Sequence, residues 1–481
     1  MIAILLKDVP FEQDIRELFM AFYPGEKYVY EPDKDAMIVF SAGAEGNEYA
    51  MRMEFKPGAG KCREIRFSSE ITDSRSGTKN KLKRALYVRL AKENGRELPW
   101  GTLTGIRPTK LALSDLEKGE TPDGIKSKME DLYFMSRTKA DLCVRTALHE
   151  KRVLDKMNLC NGWSLYIGIP FCPTTCLYCS FTSYPISKWK KHMDLYLSAL
   201  CRELSEVGKL QTGKKLETVY MGGGTPTSLE PENLDCILSC VEENFDLSGL
   251  MEYTVEAGRP DSITEEKLRV LQKHHITRIS INPQTLKQET LDIIGRHHTV
   301  EMFLDKFKLA RSLGFDNINT DLIAGLPNET IDDIRRTMEG IQSLAPDDVT
   351  VHSLAVKRAS RLNTKKEDYA DLKCSLTSDM IDLTAEYAVA MGLEPYYLYR
   401  QKNMAGNFEN VGYCRPGKEG LYNVLIMEEK QTIIGCGAGT TTRAVYPEEN
   451  RLERVENVKD PALYIERLDE MMERKRKMLA K

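Results

Sequence analysis

Between residues 163 and 399, short apolar, β-branched runs alternate with longer stretches of helical periodicity. The runs lie at 165–169, 218–221, 253–255, 278–281, 317–323 and 349–354. Between them, 188–207, 232–244, 264–273, 300–313 and 330–344 carry apolar residues at helical spacing. Six strands alternating with helices predict parallel strands joined by crossovers, as an open sheet or a barrel. In such α/β folds the chemistry sits at the C-terminal ends of the strands.

On either side the pattern changes. Residues 2–6 form a strand-like apolar run, 27–30 and 36–40 alternate, and 79–94 read as an amphipathic helix with a basic face. A turn-rich connection, Leu98-Pro99-Trp100-Gly101 to Gly105-Ile106-Arg107-Pro108, follows. Near the other end, 396–399 suggests a strand, Gly435-Cys436-Gly437-Ala438-Gly439 a tight turn, and 461–481 a charged helix. The expected division is an accessory α+β domain at 1–155, a core at 156–395 and a C-terminal α+β extension at 396–481.

With 41% hydrophobic and 29% charged residues among 481, the chain has ample material for large cores. A net charge of −4 gives no bulk attraction to nucleic acid. The apolar start Ile2–Leu6 is short for a signal core, and nowhere do about 18 apolar residues follow one another to span a membrane. A cytoplasmic protein is expected. Of the twelve cysteines, most are scattered, as small buried hydrophobes are in a reducing compartment.

One group is not scattered. After the first strand of the core comes Pro170-Phe171-Cys172-Pro173-Thr174-Thr175-Cys176-Leu177-Tyr178-Cys179. Thiolates are the usual protein ligands of iron–sulfur clusters. Three in one loop can hold three irons of a [4Fe–4S] cluster and leave the fourth open to a small chelating molecule. A structural zinc site wants four ligands, commonly as two separated pairs, and no second pair follows at that spacing. Cys201, Cys236 and Cys240 stand singly on helix-like segments.

The next strand ends in Gly222-Gly223-Gly224-Thr225-Pro226-Thr227. Consecutive glycines let backbone approach a ligand closely, although a tight turn needs no more. Later strand ends carry Glu256, Gln284 and Asp321, with Arg296 beyond the fourth. Any one of these alone reads as a helix cap or turn residue.

The cysteine spacing, with Tyr178 before its last cysteine, resembles the signature of the radical S-adenosylmethionine (SAM) superfamily. Tyr166-Ile167-Gly168-Ile169-Pro170-Phe171-Cys172, the glycine run, Arg278-Ile279-Ser280 to Gln284, and Asp321-Leu322-Ile323 to Gly325-Leu326-Pro327 narrow it. Together they resemble the oxygen-independent coproporphyrinogen III oxidase family over about 163–355, with a weaker echo at 435–441. Gly105-Ile106-Arg107-Pro108 looks like its longer-chain bacterial subgroup. The resemblance implies a partial (β/α)6 radical SAM barrel and a [4Fe–4S] cluster on Cys172, Cys176 and Cys179. It also implies SAM, a tetrapyrrole substrate and a reducing electron donor such as flavodoxin or ferredoxin. The implied reaction, in porphyrin and haem biosynthesis, is oxidative decarboxylation of coproporphyrinogen III to protoporphyrinogen IX, begun by hydrogen abstraction from a propionate.

Two SAM molecules are implied. Tyr166 (also the implied catalytic residue), Gly223, Glu256 and Thr441 would contact the first. Tyr178, Gly224, Thr225, Gln284, Arg296, Asp321 and Ala355 would contact the second. Arg278, Arg296, His297, His298, Lys357 and Arg358 are candidate partners of substrate carboxylates. This chain departs from the family's oxidases at Phe181, where they carry a fourth cysteine, and at Gly168, where they carry histidine. It departs again in the order Glu256-Ala257-Gly258-Arg259-Pro260. The first two departures resemble the haem-chaperone and haem-degrading relatives, so a haem-binding or haem-modifying role is the alternative, with His298 and His352 as candidate haem ligands.

Overall fold

The structure, a computed structural model, describes residues 1–56, 63–355, 360–364, 372–401, 408–449 and 451–480. Two compact units result, and both are discontinuous in sequence. The smaller joins 1–148 to 376–378 and 398–409; the larger joins 149–375, 379–397 and 410–481.

In the smaller unit five strands, β1 (Ile2–Lys7), β2 (Tyr28–Val29), β3 (Ile38–Glu45), β4 (Glu48–Phe55) and β5 (Arg63–Glu70), pair in the order β2-β1-β3-β4-β5. Gly46, at φ +60°, turns the hairpin between β3 and β4. Alternation along β3 and β4 buries Phe40, Met51 and Met53. They pack with Ile15, Leu18 and Phe19 of helix Glu12–Phe22 and Leu82, Leu86 and Leu90 of helix Arg75–Asn94. Ser74 caps that second helix by accepting from the Gly77 N–H, and Gly95 ends it in the left-handed conformation. The returning segment supplies buried charges: Glu409 accepts from Trp100 Nε1 at 2.7 Å and pairs with Lys139 at 2.7 Å.

The larger unit is organised by β6 (Gly162–Ile169), β7 (Phe171–Cys172), β8 (Tyr184–Pro185), β9 (Lys215–Gly223), β10 (Glu252–Gly258), β11 (Arg278–Ile281), β12 (Ile318–Ala324) and β13 (Asp348–Ser353). β14 (Glu394–Arg400) and β15 (Glu409–Cys414), of which residues 398–400 and 409 belong to the smaller unit, then β16 (Thr432–Cys436), β17 (Thr441–Tyr446) and β18 (Arg451–Glu456) follow. The main sheet runs β14-β15-β13-β12-β11-β10-β9-β6-β16-β17-β18. Its centre is the expected set of six parallel strands. β16 adds a seventh parallel strand beside β6, and β15 pairs antiparallel with β13. Strands from 396–481 thus extend the main sheet, and residues 410–481 share one compact unit with the core.

Side chains alternate sharply across the parallel strands. One face carries Leu165, Ile167, Val219, Met221, Val255 and Ile279, all buried. The other carries Ser164, Tyr166, Thr218, Tyr220, Glu252, Glu256, Arg278, Asp321 and Asp348, linked by hydrogen bonds such as Thr218 to Ser164 at 2.8 Å. A polar face of this kind, at residues that alternate with a largely apolar one, is what positions the site.

Three of the crossover helices begin at side-chain caps: Thr264, Thr299 and Thr330 each accept from a backbone N–H, and Thr330 with Asp333 forms a capping box. Two helices differ from the sequence expectation. The stretch 188–207 becomes helical only from Met193, after two 3₁₀ turns over 186–192. The last helix divides into Pro461–Glu466 and Leu468–Leu479. Among the described residues no helix is long and apolar enough to cross a membrane.

Candidate active site

The cysteine loop leaves β6 at Pro170 and is held from several sides. Its own start, β7, pairs with β8. The Leu177 N–H donates to Ile294 O at 3.0 Å, and the Cys179 N–H to Cys176 O at 3.2 Å. Cys176 is buried, while Cys172 and Cys179 are half-buried. Donors point at two of the sulfurs: Thr225 Oγ1 lies 3.5 Å from Cys172 Sγ, and Arg259 Nη1 3.9 Å from Cys176 Sγ. Arg259 is fixed by a two-pronged bond to Asp261 (2.9 and 2.6 Å) and by the Thr174 carbonyl at 3.1 Å. Hydrogen bonds and positive charge beside sulfur fit thiolate ligands of an iron–sulfur cluster.

The glycine run ends β9 next to this loop. Gly224 N–H donates to Ile169 O at 2.7 Å and Thr225 N–H to Phe171 O at 2.7 Å, stitching the two strand ends together. Gly223 adopts φ +104°, and its Cα faces the Tyr166 hydroxyl; an added Cβ would lie 3.3 Å from it. At Gly222 a Cβ would stand 2.7 Å from the Glu256 carboxyl carbon and 2.8 Å from the Tyr220 ring. Glycine is therefore required there for Glu256 and Tyr220 to meet over the sheet.

They do meet: the Tyr220 hydroxyl donates to Glu256 Oε1 at 2.6 Å. Burial pushes the Glu256 carboxyl up to about 7, partly offset by the Tyr220 hydrogen bond. Tyr166, Tyr220 and Tyr422 form a near-parallel stack, with Tyr422 4.4 Å from Tyr220 and 5.7 Å from Tyr166 between ring centres. Tyr422 comes from helix Leu421–Glu428, whose first two N–H groups are held by buried Glu252.

Tyr166, Gly223 and Glu256, expected in one group, are thus brought together. Within the second expected group, Arg296 donates to the Tyr178 hydroxyl at 3.2 Å and to the Asn282 carbonyl. Gln284, at φ +72°, is bound through its backbone to β12, its N–H donating to Asp321 O at 3.1 Å. Both Asp321 carboxylate oxygens are engaged, by Asn282 and Asn319 at 2.8 Å each, and His352 stands 3.9 Å away. Ala355 follows β13, and Thr441 opens β17; both are half-buried.

Several candidates for substrate carboxylates are otherwise employed. Arg278 is buried against Asp348 at 2.6 Å. His298 is fully buried, and burial together with Arg296 and Arg259 pushes it down to about 3, so it is neutral. His297 is exposed, and Lys357 and Arg358 lie outside the described residues. Arg259, Tyr220 and Tyr422 were missed from sequence. Arg259 stands three residues beyond Glu256, and that spacing was the available signal.

The parallel strands, the cysteine loop at the first strand end and the glycine end beside it define a radical SAM protein. The radical SAM superfamily profile matches residues 166–341. The oxygen-independent coproporphyrinogen-III oxidase-like protein HemZ of Bacillus subtilis (strain 168) is 40% identical over 419 residues, 86% of this chain and 84% of its own. Heme chaperone HemW of the same strain is 36% identical over 286 residues, 57% of this chain and 69% of its own. The solved coproporphyrinogen III oxidase HemN of Escherichia coli shares the fold, with a TM-score of 0.53 at 22% identity over 67% of this chain and 72% of that one. The chain belongs to the radical SAM superfamily, in the family of oxygen-independent coproporphyrinogen III oxidase-like proteins. Membership implies a [4Fe–4S] cluster and SAM.

Proposed function

We propose that the protein is a cytoplasmic radical SAM oxidoreductase that decarboxylates coproporphyrinogen III to protoporphyrinogen IX without oxygen. The observation that carries the reading is the pair of donors aimed at cysteine sulfur, Thr225 on Cys172 and Arg259 on Cys176, beside a glycine strand end. Cys172, Cys176 and Cys179 hold the cluster. When bound, the cluster and SAM would supply the radical chemistry that removes a hydrogen atom from the substrate. The protein's own part is placement and proton control. Tyr166, Gly223, Glu256 and Thr441 hold the first SAM, and Tyr178, Gly224, Thr225, Gln284, Arg296, Asp321 and Ala355 a second. Glu256, ionising near neutrality, is able to hold or release a proton at Tyr220 without a large energetic cost. Residues 1–155 act as an accessory domain, 156–395 as the catalytic core and 396–481 as the closing element. A flavodoxin or ferredoxin supplies electrons.

The second reading is a haem chaperone, as HemW is named. It is favoured by Phe181, 70% exposed next to Cys179, where the family's oxidases have a fourth cysteine. The deciding experiment is anaerobic. Cluster-reconstituted protein receives reductant, SAM and coproporphyrinogen III, and 5′-deoxyadenosine and tetrapyrroles are followed together. Protoporphyrinogen formed alongside 5′-deoxyadenosine, both lost in Cys172→Ala, Cys176→Ala and Cys179→Ala, is the expected result. Radical formation with unchanged porphyrinogen and stoichiometric haem binding would hand the function to the chaperone reading. Undiminished 5′-deoxyadenosine in all three variants would remove the cluster assignment.

A further inference from the structure

Glu203, on helix Met193–Leu210, is a fully buried carboxylate. It receives four donors: the Gly437 N–H at 2.7 Å, Asn457 Nδ2 at 2.9 Å, the Tyr464 hydroxyl at 2.6 Å and the Lys475 ammonium. A carboxylate has about four acceptor positions, so this one is saturated. Lys475 is itself 1% exposed, sits on the last helix, Leu468–Leu479, and also donates to Asn457 Oδ1 at 3.1 Å.

The network ends on the strand tips of the candidate site. Gly437 follows β16 at φ +100°, and a Cβ there would strike the Gly168 carbonyl. The same carbonyl accepts from the Tyr196 hydroxyl at 3.0 Å, which in turn accepts from the Ala438 N–H at 3.3 Å. Thr440 donates to Gly437 O at 2.8 Å, and its methyl group fills the space over Gly168. By register Gly168 lies opposite Gly222, and Cys436 opposite Ile167. Gly437, Gly168 and Gly222 therefore form one row across three adjacent parallel strand ends, four residues before Cys172 at its centre.

Stability alone is a poor account of this arrangement. A buried ion pair is often replaceable by apolar groups of similar size at no loss, because desolvation offsets the attraction. A fully satisfied buried network instead selects one geometry. What it selects here is the placement of the turn 437–440.

We propose that the C-terminal helix is a positioning element of the SAM site: Lys475 fixes Glu203, Glu203 fixes the Gly437 N–H, and the turn so placed walls the SAM cradle beside Gly168 and Gly222. The proposal rests on the SAM-binding reading above. Glu203 and Lys475 act through the turn and touch no substrate.

The test uses full-length, cluster-reconstituted protein, with iron content and visible absorption measured first. Anaerobic calorimetry then gives SAM affinity for wild type, Glu203→Gln, Lys475→Met and the double variant Glu203→Leu/Lys475→Met. Each single variant is expected to keep its iron and lose about tenfold in SAM affinity, the usual scale for groups that orient a binding site. Turnover at saturating SAM should stay near wild type, a KM effect without a kcat effect. The double variant leaves no orphaned charge, so its melting temperature should recover part of the loss while its SAM affinity does not, since in it the Gly437 N–H has lost the Glu203 acceptor. Affinity that recovers together with stability, or is unchanged in the single variants, overturns the proposal. If wild type itself binds no SAM, the functional reading fails instead.

Discussion

Glu256 shows how one buried carboxyl ties site chemistry to stability. Its folded value, about 7, lies above the ordinary 4.5, so between those pH values the native protein binds more protons than the unfolded chain. The contribution of this group to stability therefore falls as pH rises through that window. Replacing it by glutamine, which still accepts from Tyr220, removes the titration. In the cofactor-free protein, urea unfolding should show Glu256→Gln gaining on wild type by up to about 3 kcal/mol from pH 4.5 to 7.5. A difference that stays flat would mean Glu256 ionises as an ordinary surface acid. At this scale the sequence was legible where chemistry is written in spacing. The three cysteines are identified within eight residues of loop, and the glycines by their run. Tyr220 was not, because its role depends on which strand lies beside which: β10 puts Glu256 over Gly222 of β9, and no local pattern in Glu252–Gly258 says so.

The strands themselves were read within a few residues, since buried parallel strands are apolar runs bounded by caps and turns. β11 runs over Arg278–Ile281, as the sequence predicts. What the runs conceal is their polar face. Glu256 and Asp321 read as strand-end residues and Tyr220 as part of an apolar run, yet the three line one continuous surface. Helix Leu421–Glu428 was invisible as a functional element, because only the tertiary fold presses Tyr422 onto Tyr220 and Tyr166. Its contribution is measurable. Tyr422→Ala empties a buried ring site and should cost about 3–5 kcal/mol in urea unfolding. Tyr422→Phe keeps the stacked ring and should cost far less. Equal losses in the two variants would show that the hydroxyl, and not the stacked ring, holds this helix.

For the whole molecule, the sequence places a boundary near residue 155, and the compact unit closes at 148. The re-entry of 398–409 into the smaller unit could not be read, because the pattern along a chain records neighbours in sequence and not the distant core a segment completes. That re-entry is held by buried charge. Glu409, 1% exposed, joins Lys139, also buried, and the Trp100 indole, while Arg400 lies 5.1 Å above the Trp100 ring and donates to the Leu103 carbonyl at 2.7 Å. Removing one member of such a pair strands the other without water, which costs about 3–5 kcal/mol. The chain has three tryptophans, Trp100, Trp163 and Trp189, and only Trp100 belongs to the smaller unit. In a Trp163→Phe/Trp189→Phe background, fluorescence therefore reports that unit alone. Glu409→Ala should lower the denaturant midpoint seen by Trp100 by an amount equivalent to about 3–5 kcal/mol and shift its emission as the indole loses its acceptor. Glu409→Leu combined with Lys139→Met should recover most of that loss, because neither charge is then left buried alone. A midpoint insensitive to Glu409→Ala would show that the returning segment is not what completes the smaller core.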